Sequence, residues 1–358
     1  MSTSITARGR ALRLVYVYVA AAAAVIALAA VLLSFSGFSV ANAADAAWRG
    51  AFGSADAVLS STLVRSIPFM LLGTAVALAF RVGVFNIGGD GQFLIGAALA
   101  TSVALAPWSM PGWVHLILAL GAGAAGGALW GLIPALLRRR WGVFEVLSTL
   151  MMNFVAVHVI SYLVRGPLQE PTRIYPQSST FAEGVRLPSV LDGTRLHVGI
   201  YLAIVICVLG WIWLFSRESG LRARLTGANP IAAESAGRID TARTSFRVFI
   251  VSAALCGLAG SVEVLGVTFA LYENLSPGYG FVGVAVALLA ALHPLGVLAS
   301  AVVLAAIDAG AGAMQRDAGI PSVTAWAVQA LLVLAVLAGR ALVNRARAQD
   351  VPRTPVTA

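Results

Sequence analysis

Long apolar segments recur along almost the whole of this chain, and they constrain its fold more than any other feature. Hydrophobic residues make up 59% of the 358 residues, and charged residues make up only 11%. Segments of about 20 apolar residues match the hydrocarbon core of a bilayer. A segment in lipid must satisfy its own backbone hydrogen bonds, as a helix does. The sequence therefore predicts an all-α fold, a polytopic membrane helix bundle.

About ten segments are candidate transmembrane spans. They lie at residues 14–35, 63–80, 92–107, 113–137, 144–164, 198–216, 247–270, 280–292, 295–314 and 322–341. The segment 280–292 is short for a straight crossing and is followed by His293-Pro294, so it is either a span or a half-helix. Ala41-Asn42-Ala43 resembles a signal-peptidase site. The stretch 14–35 nevertheless exceeds the about 7–15 residues of a signal-peptide core, which favours a retained first span over a cleaved signal.

The distribution of positive charge predicts the orientation of these spans. All 24 basic residues are arginine. Alternating spans would place 17 arginines in cytoplasmic loops or tails and 7 outside, which agrees with the positive-inside rule. We therefore predict cytoplasmic N- and C-termini and a basic charge that reflects orientation in the lipid bilayer rather than binding to nucleic acid. The predicted organisation is an N-terminal arm at 1–13, a transmembrane domain at 14–341 with an extracytoplasmic loop at 165–197 and a cytoplasmic loop at 217–247, and a cytoplasmic tail at 342–358.

Three absences from the sequence exclude classes of function. A phosphate-binding loop ends in Gly-Lys-Ser/Thr, and a chain without lysine cannot form one, so any ATP must be bound by a separate subunit. The four histidines, together with Cys207 and Cys256, lack the spacing of metal ligands. No nucleophile motif is present either. We predict no catalytic residue, no metal and no cofactor in this chain.

A short helix is predicted inside the loop 217–247. Asn229 is a favourable N-cap, Pro230 suits the first helical position, and Gly237 suits the end, giving about two turns. Two interpretations are open from spacing alone. The segment is either an ordinary loop helix or a contact point for a soluble motor protein.

A polar, glycine-rich break separates two apolar segments at Phe85 to Gln92. Three of the four residues 88–91 are glycine, and Asn86, Asp90 and Gln92 supply polar side chains. Irregular backbone at membrane depth is tolerated only where it is buried in protein or lines a cavity, and broken helices commonly form transporter binding sites. The alternative is a tight cytoplasmic turn with an ordinary Asx cap.

A second interruption, from Glu273 to Gly280, lies in the C-terminal half and includes Asn274 and Tyr279. Paired Gly/Pro interruptions in two halves are typical of transporters with internal repeats. Four acidic residues lie in or beside apolar segments, and intramembrane carboxylates are functional candidates. They are Asp90, Glu145, Glu263 and Asp308. The alternative is structural: Glu145 pairs with one of the arginines at 138–140, and Glu263 and Asp308 join helices to one another.

Four passages, in the same order as in the family, resemble the permease subunits of bacterial ABC importers. The resemblance is to the superfamily of ribose and branched-chain amino-acid permeases, and most closely to its nucleoside-uptake branch. The passages cover most of the chain between about residues 63 and 340. They are Asn86-Ile-Gly-Gly-Asp-Gly-Gln92, Glu145-Val-Leu-Ser-Thr-Leu-Met-Met-Asn153, the run from Gly227 to Gly237, and Ser276-Pro-Gly-Tyr-Gly-Phe-Val-Gly-Val-Ala-Val-Ala-Leu-Leu289 followed by Pro294.

The resemblance implies two sets of functional residues. The translocation pathway would include Asn86, Asp90, Gln92, Glu145, Asn153, Asn274 and Tyr279. The coupling helix that docks in the cleft of a cytoplasmic ATPase would include Gly227, Asn229, Pro230, Ala232, Ala233 and Gly237, with Ala233 on the docking face. One departure is Asp90, since the family more often has Glu at that position.

The resemblance also implies the partners and the location of the protein. The partners would be a cytoplasmic ABC ATPase, a second permease subunit that is usually a related but different chain, and an extracytoplasmic substrate-binding lipoprotein. The assembly would import nucleosides across a bacterial inner membrane. Two alternatives remain open: the same machine importing ribose, galactose or a branched-chain amino acid, and a proton-coupled secondary transporter that uses Asp90, Glu263 or Asp308.

Overall fold

The computed structural model describes residues 27–28, 30–237, 239–331, 333–334 and 338. Within these ranges the regular structure is helical, and two isolated β-bridges are the only extended pairings. The predicted arm at 1–13, most of the predicted span at 14–35 and the tail at 342–358 lie outside the described residues. The all-α prediction is confirmed for the described residues.

Eleven helices of the described residues are numbered α1 to α11 in chain order, and two short π-helical segments extend two of them. Residues Ala57–Leu63 lead into α2, and Val264–Thr268 continue α9. The helices are α1 Val40–Phe52, α2 Val64–Arg81, α3 Gly89–Ala104, α4 Gly112–Trp141, α5 Glu145–Arg165, α6 Gly199–Ser216, α7 Glu218–Ala228, α8 Pro230–Gly237, α9 Thr241–Glu263, α10 Tyr279–Leu289 and α11 Pro294–Asp317. A further helical stretch covers 322–331.

Among the described residues, six helical segments are long and apolar enough to cross a membrane, which agrees with the predicted membrane helix bundle. They coincide with six of the predicted spans and are Ala57–Arg81, Gly112–Trp141, Glu145–Arg165, Gly199–Ser216, Thr241–Thr268 and Pro294–Asp317. The predicted spans at 92–107 and 280–292 correspond to α3 and α10, which have only 16 and 11 residues. An 11-residue helix is about 16 Å long, so α10 agrees with the half-helix interpretation. The total of about ten spans stays a prediction.

The described chain divides into two compact units, residues 58–305 and residues 1–57 with 306–358. In the larger unit, α2 and α3 are buried almost along their whole length, and α9 packs against α2, α3 and α4. Glycine makes these close approaches possible. A Cβ atom on Gly96 of α3 would lie 2.3 Å from the Cα of Gly257 on α9, and one on Gly127 of α4 would meet the same Cα at 2.7 Å. The small residues therefore serve helix packing, as expected in a membrane.

The smaller unit is held together by α1 and the end of α11. Ala43 and Ala46 of α1 belong to one apolar cluster with Met314. A Cβ atom on Gly50 would lie 2.1 Å from the Cβ of Ala313. Close packing of small residues is thus repeated in this unit.

The long segment between α5 and α6 is ordered by backbone hydrogen bonds to the chain that follows α9. The amides of Ser178, Phe181 and Leu187 donate to carbonyl groups at positions 271, 269 and 265, at 2.7, 2.9 and 2.8 Å. The side chains of Phe181 and Leu187 are buried. This predicted extracytoplasmic loop therefore packs onto the helix bundle along much of its length.

Candidate functional site

The break before α3 is closed by two buried amides that bond to one another. Asn86 donates from Nδ2 to Oε1 of Gln92 at 2.9 Å, and Gln92 donates from Nε2 to Oδ1 of Asn86 at 3.0 Å. Nδ2 of Asn86 also donates to Oγ of Ser252 on α9 at 3.0 Å. The amide of Gly88 donates to Oδ1 of Asn86, which is the predicted Asx turn, but the turn is buried rather than at a surface. These bonds fix the turn to α9.

Asn153 of α5 contacts the break from the other side. Its Oδ1 accepts a hydrogen bond from the amide of Gly91 at 2.8 Å, and its Nδ2 donates to the carbonyl of Ile87 at 3.1 Å. A Cβ atom on Gly91 would lie 3.0 Å from that Oδ1, so the absence of a side chain permits the contact. Asn153 thus satisfies backbone groups that the broken helix leaves unpaired.

Asp90 joins the two interruptions that the sequence pairs. Its Oδ1 accepts hydrogen bonds from Oγ of Ser276 at 2.6 Å and from the amide of Gly280 at 3.0 Å. The carboxylate therefore lies in the first turn of α3 and at the first turn of α10. Two helix N-termini favour a negative charge at this point, and charge-assisted hydrogen bonds strengthen the contact. We call Asp90, Ser276 and Gly280 the α3–α10 junction.

Gly280 brings the two helix ends into direct contact. A Cβ atom at this position would lie 2.2 Å from the amide nitrogen of Asp90. Tyr279 borders the α3–α10 junction, with its ring edge-on to Phe69 at 5.4 Å and to Phe93 at 5.8 Å between centroids. Asn274, by contrast, is exposed and has a left-handed backbone with φ of 57°. It is not in hydrogen-bond contact with the other predicted pathway residues.

Glu145 forms the ion pair that the sequence offers as its structural role. Its Oε1 accepts from Nη1 of Arg138 at 2.9 Å and from the amide of Phe85 at 3.5 Å. The carboxylate side chain is buried, whereas that of Arg138 is 39% exposed. The pair therefore fastens the start of α5 to the end of α4 and to the residue before Asn86.

The Glu145–Arg138 pair borders a cavity of 540 Å³. Its walls come from the turn after α2, the end of α4, the start of α9 and the segment that joins α7 to α8. Arg139 and Phe246 also line it, and the guanidinium of Arg139 lies 5.4 Å from the centre of the Phe246 ring. The cavity lining includes Val84 and Glu145, which adjoin the polar break, and Gly227 and Pro230, near the start of α8.

Helix α8 has the predicted ends. Oδ1 of Asn229 accepts from the amide of Ala232 at 3.1 Å, as an N-cap does, and α8 runs from Pro230 to Gly237. Ala233, which is predicted to lie on the docking face, is only 6% exposed. The amide of Ile239 donates to its carbonyl at 3.3 Å, so the chain after α8 turns back beside it. Ile231, at 76%, and Ala232 are exposed instead.

Gly227 and Arg81 link the insert to the end of α2. A Cβ atom on Gly227 would lie 2.0 Å from the carbonyl oxygen of Arg81. The Arg81 side chain donates from Nε to the carbonyl of Leu292 at 3.1 Å and from Nη2 to that of Ala291 at 3.2 Å, just after α10 ends. A cation there satisfies carbonyls left unpaired by the helix end. Nothing in the sequence pattern identifies these two contacts.

A second ion pair lies at the opposite end of α5. Arg165 donates from Nε and Nη2 to the two carboxylate oxygens of Glu273 at 2.6 and 2.8 Å, and Oγ of Ser161 donates to Oε1 at 2.5 Å. These hydrogen bonds from Arg165 and Ser161 lower the pKa of Glu273 to about 2. The segment after α9 is thereby fastened to α5. In the described ranges, no group of three His, Cys, Asp or Glu side chains could hold a metal ion.

Comparison with known proteins identifies the family. Residues 58–337 match the model of the branched-chain amino acid transport system permease component. The guanosine ABC transporter permease protein NupP of Bacillus subtilis is 36% identical over 88% of this chain and 91% of its own. The glucose ABC transporter permease protein TsgB13 of Haloferax volcanii is 33% identical over 77% of this chain and 75% of its own. The nucleoside ABC transporter permease protein NupB of Lactococcus lactis is 29% identical over 86% of each chain.

No solved structure matches the chain. The family match covers the break at 86–92, the insert with α8 and the second interruption. These are the regions in which the polar contacts and the capped short helix are found. The chain belongs to the family of branched-chain amino acid transport system permease components, and it is the membrane permease subunit of an ABC transporter rather than an enzyme.

Proposed function

We propose that this permease imports nucleosides across a bacterial inner membrane. The observation that carries the substrate proposal is the similarity to the guanosine permease NupP over almost the full length of both chains. The nucleoside permease NupB supports the same substrate class. The glucose permease TsgB13 favours a sugar as the second candidate, and a nucleoside also contains a sugar ring.

The proposed assembly has the insert 217–247 and both termini in the cytoplasm and the loop 165–197 outside. About ten segments would cross the membrane. A cytoplasmic ABC ATPase would dock at α8, a second and related permease would complete the pathway, and a substrate-binding lipoprotein would deliver nucleoside from outside. The family membership supports the presence of ATPase and binding-protein partners.

Two features of the structure support a route from the ATPase to the pathway. Movement of α8 would reach α2 through the contact of Gly227 with Arg81, because no side chain separates the two backbones. Arg81 contacts the end of α10 through Leu292. The start of α10 is held to α3 by Asp90. The α3–α10 junction would therefore open or tilt when the insert moves, which changes access to the bundle.

In this proposal, the predicted pathway residues have different roles. Asn86, Gln92, Asn153 and Glu145 are positioning residues, because their hydrogen-bonding atoms contact other parts of the protein. Tyr279, beside the α3–α10 junction, offers an aromatic ring for contact with a nucleobase, and such stacking contributes about 1–3 kcal/mol per base in nucleic-acid complexes. Asn274 belongs to the extracytoplasmic end and would contact substrate only during entry.

Uptake measurements test the substrate proposal. A strain that lacks the chain and the same strain with the chain restored are compared for uptake of labelled guanosine, uridine, ribose, glucose and leucine. Nucleoside uptake alone should depend on the chain. Uptake of a sugar alone would overturn the nucleoside proposal in favour of the second candidate.

The energy source separates the ABC mechanism from a proton-coupled one. Depletion of ATP should stop uptake, whereas collapse of the proton gradient with ATP maintained should leave most of it. The carboxylates proposed for a relay have structural partners here: Asp90 accepts two hydrogen bonds, and Asp308 accepts one from Gln329 at 2.9 Å. Loss of uptake on collapse of the gradient alone would contradict the proposal.

The exposed face of α8 provides a test of docking. Ile231→Glu places a charge on the face where Ile231 is 76% exposed, and we expect the ATPase no longer to co-purify with the permease. Ile174→Glu is the matched control, since Ile174 is 72% exposed in the loop 165–197. Normal co-purification of the Ile231→Glu variant would remove α8 as the docking site.

A further inference from the structure

An apolar groove of 400 Å³ lies on the larger unit between α6 and α9. Both helices pack against α2, and α7 packs against α2, α6 and α9 at one end. Leu78 of α2 is part of the lining, and Gly210 of α6 lies against α2. A Cβ atom on Gly210 would lie 3.2 Å from Cγ2 of Thr74, so this glycine brings α6 close to α2.

The chemistry of the groove differs along its length. Leu209 and Val251, both about half exposed, belong to the apolar lining, and the charged group among the lining residues is Arg247. Arg247 is near the start of α9, Ser219 near the start of α7 and Trp213 near the end of α6, so the three mark one end of the groove. An occupant with a long apolar chain and a negatively charged head matches this arrangement.

The charge around Arg247 favours an anion. Arg247 is exposed, and within the described residues no hydrogen bond or ion pair connects it to an acidic side chain. Nearby Glu218 of α7 is engaged by Arg222, from whose Nη2 it accepts at 2.5 Å. Arg217 and Arg243 add further positive charge to the same insert. The local charge is therefore positive where the apolar groove ends.

We propose that this groove binds an anionic phospholipid, with an acyl chain along Leu209 and Val251 and the phosphate at Arg247. The inference rests on the proposed orientation, in which the insert faces the cytoplasmic leaflet. That leaflet is rich in anionic lipid, and each arginine near its surface contributes about 1 kcal/mol of attraction. Trp213 lies at the same end, where tryptophan is enriched at membrane interfaces.

The position of the groove gives the lipid a functional consequence. Helix α7 closes one end of the groove and leads directly through Asn229 to α8. A bound lipid would hold α7 against α6 and α9 and keep the coupling helix in place. Anionic lipid should therefore increase the transport rate without contacting nucleoside.

Lipid retention measured by native mass spectrometry tests the proposal directly. The complete transporter is purified from nanodiscs of phosphatidylcholine mixed with phosphatidylglycerol, and the retained lipids are counted. Arg247→Gln should weaken retention of phosphatidylglycerol about fivefold, which is 1 kcal/mol expressed as a ratio. Val251→Trp should fill the groove and reduce retention of both lipids.

Two control variants distinguish a site from general charge or bulk. Arg243→Gln makes the same change of charge at an exposed arginine on α9 outside the lining, and Val205→Trp adds the same bulk at an exposed position of α6 outside it. Arg243→Gln should weaken retention of phosphatidylglycerol less than Arg247→Gln does, because Arg243 adds to the local positive charge but lies outside the lining. Val205→Trp should retain phosphatidylglycerol like the unmodified protein. Equal losses in Arg243→Gln and Arg247→Gln, or full retention in Arg247→Gln and Val251→Trp, would overturn the proposal.

The outcome is independent of substrate identity. If the unmodified protein retains phosphatidylglycerol but takes up no nucleoside, the proposed function fails and the lipid site stands. If nucleoside uptake is normal but phosphatidylglycerol is retained no better than phosphatidylcholine, the lipid inference fails alone. Uptake by unmodified protein should also be faster with phosphatidylglycerol than without it, and Val251→Trp should lose this difference.

Discussion

The break at residues 86–92 and the insert at 217–247 both interrupt apolar segments, but they use their polar groups differently. At the break, Asn86, Gln92 and Asp90 are buried; Asn86 and Gln92 bond to each other, Asn86 also bonds to α9, and Asp90 bonds to α10. In the insert, the cap on α8 is local and Ile231 remains exposed. An interruption whose polar groups are satisfied internally sets the geometry of the bundle. One that keeps an exposed apolar face is suited to a partner.

The largest expected effect comes from a side chain inserted into the α3–α10 junction. Gly280→Val places a Cβ atom 2.2 Å from the amide nitrogen of Asp90. Because the atom that it meets belongs to the backbone, α3 or α10 must move to make room. We expect a loss of several kcal/mol of stability and no uptake, since overpacking of a close contact costs about 1–3 kcal/mol or more. The midpoint of thermal unfolding in detergent measures the loss of stability, and an assay of nucleoside uptake measures the loss of transport.

Gly121→Val is the matched control for that prediction. A Cβ atom on Gly121 of α4 meets no atom within 4 Å, so the added side chain should leave uptake close to normal. Stable, active Gly280→Val protein would show that the contact of α3 with α10 is not essential, and the contrast between the two interruptions would fail.

Removal of the carboxylate from the α3–α10 junction should have the next largest effect. Asp90→Ala leaves the hydroxyl of Ser276 and the amide of Gly280 without their acceptor, which costs about 1–3 kcal/mol. Asp90→Asn keeps an acceptor oxygen and should lose less. Thermal unfolding measures the loss of stability, and the ratio of uptake to ATPase activity measures the effect on transport. Equal and complete loss of uptake with unchanged stability in both variants would instead indicate that the charge acts on substrate or a proton.

Loss of the cap on α8 should have a moderate effect on stability and a larger one on coupling. Asn229→Ala removes the acceptor for the amide of Ala232, which costs a helix about 0.5–2 kcal/mol. Uptake per ATP hydrolysed should fall because α8 no longer holds its shape. Asp240→Ala is the control, since Asp240 caps α9 through the amide of Arg243 at 2.8 Å. A similar loss of coupling in both variants would mean that α8 has no special role.

The smallest effect is expected at Glu273, which pairs with Arg165 at the C-terminal end of α5. Its pKa is lowered to about 2, so its stabilising interaction with Arg165 is present above the ordinary value of 4.5 and is lost as pH falls toward 2. Glu273→Gln should lower the thermal midpoint slightly at neutral pH, and the difference should disappear in acid. Glu183 is an exposed carboxylate in the loop 165–197, and Glu183→Gln is the control. Its effect on the thermal midpoint should not change with pH in this way. A difference that grows in acid would contradict this.

Local features of the structure could be predicted from the sequence more completely than contacts between distant segments. Asn229 and Pro230 define the start of α8 by local backbone chemistry, and apolar length identifies the six long helices. The contact of Asp90 with Gly280 could not be derived, because it joins residues 190 positions apart through one carboxylate. The sequence does not show which face of α8 is exposed, because Ile231, Ala232 and Ala233 are all apolar and eight residues carry no clear periodicity.

The mutual bonding of Asn86 and Gln92 has a consequence for the resting transporter. A membrane carrier must keep ions and protons from leaking while it waits for cargo, and a continuous file of water molecules would conduct both. Each of these two amides already fills donor and acceptor positions of the other, inside a side-chain cluster with almost no exposed surface. Water could enter between these two amides only by displacing hydrogen bonds that are already made, so we expect the pair to oppose a file of water at the break.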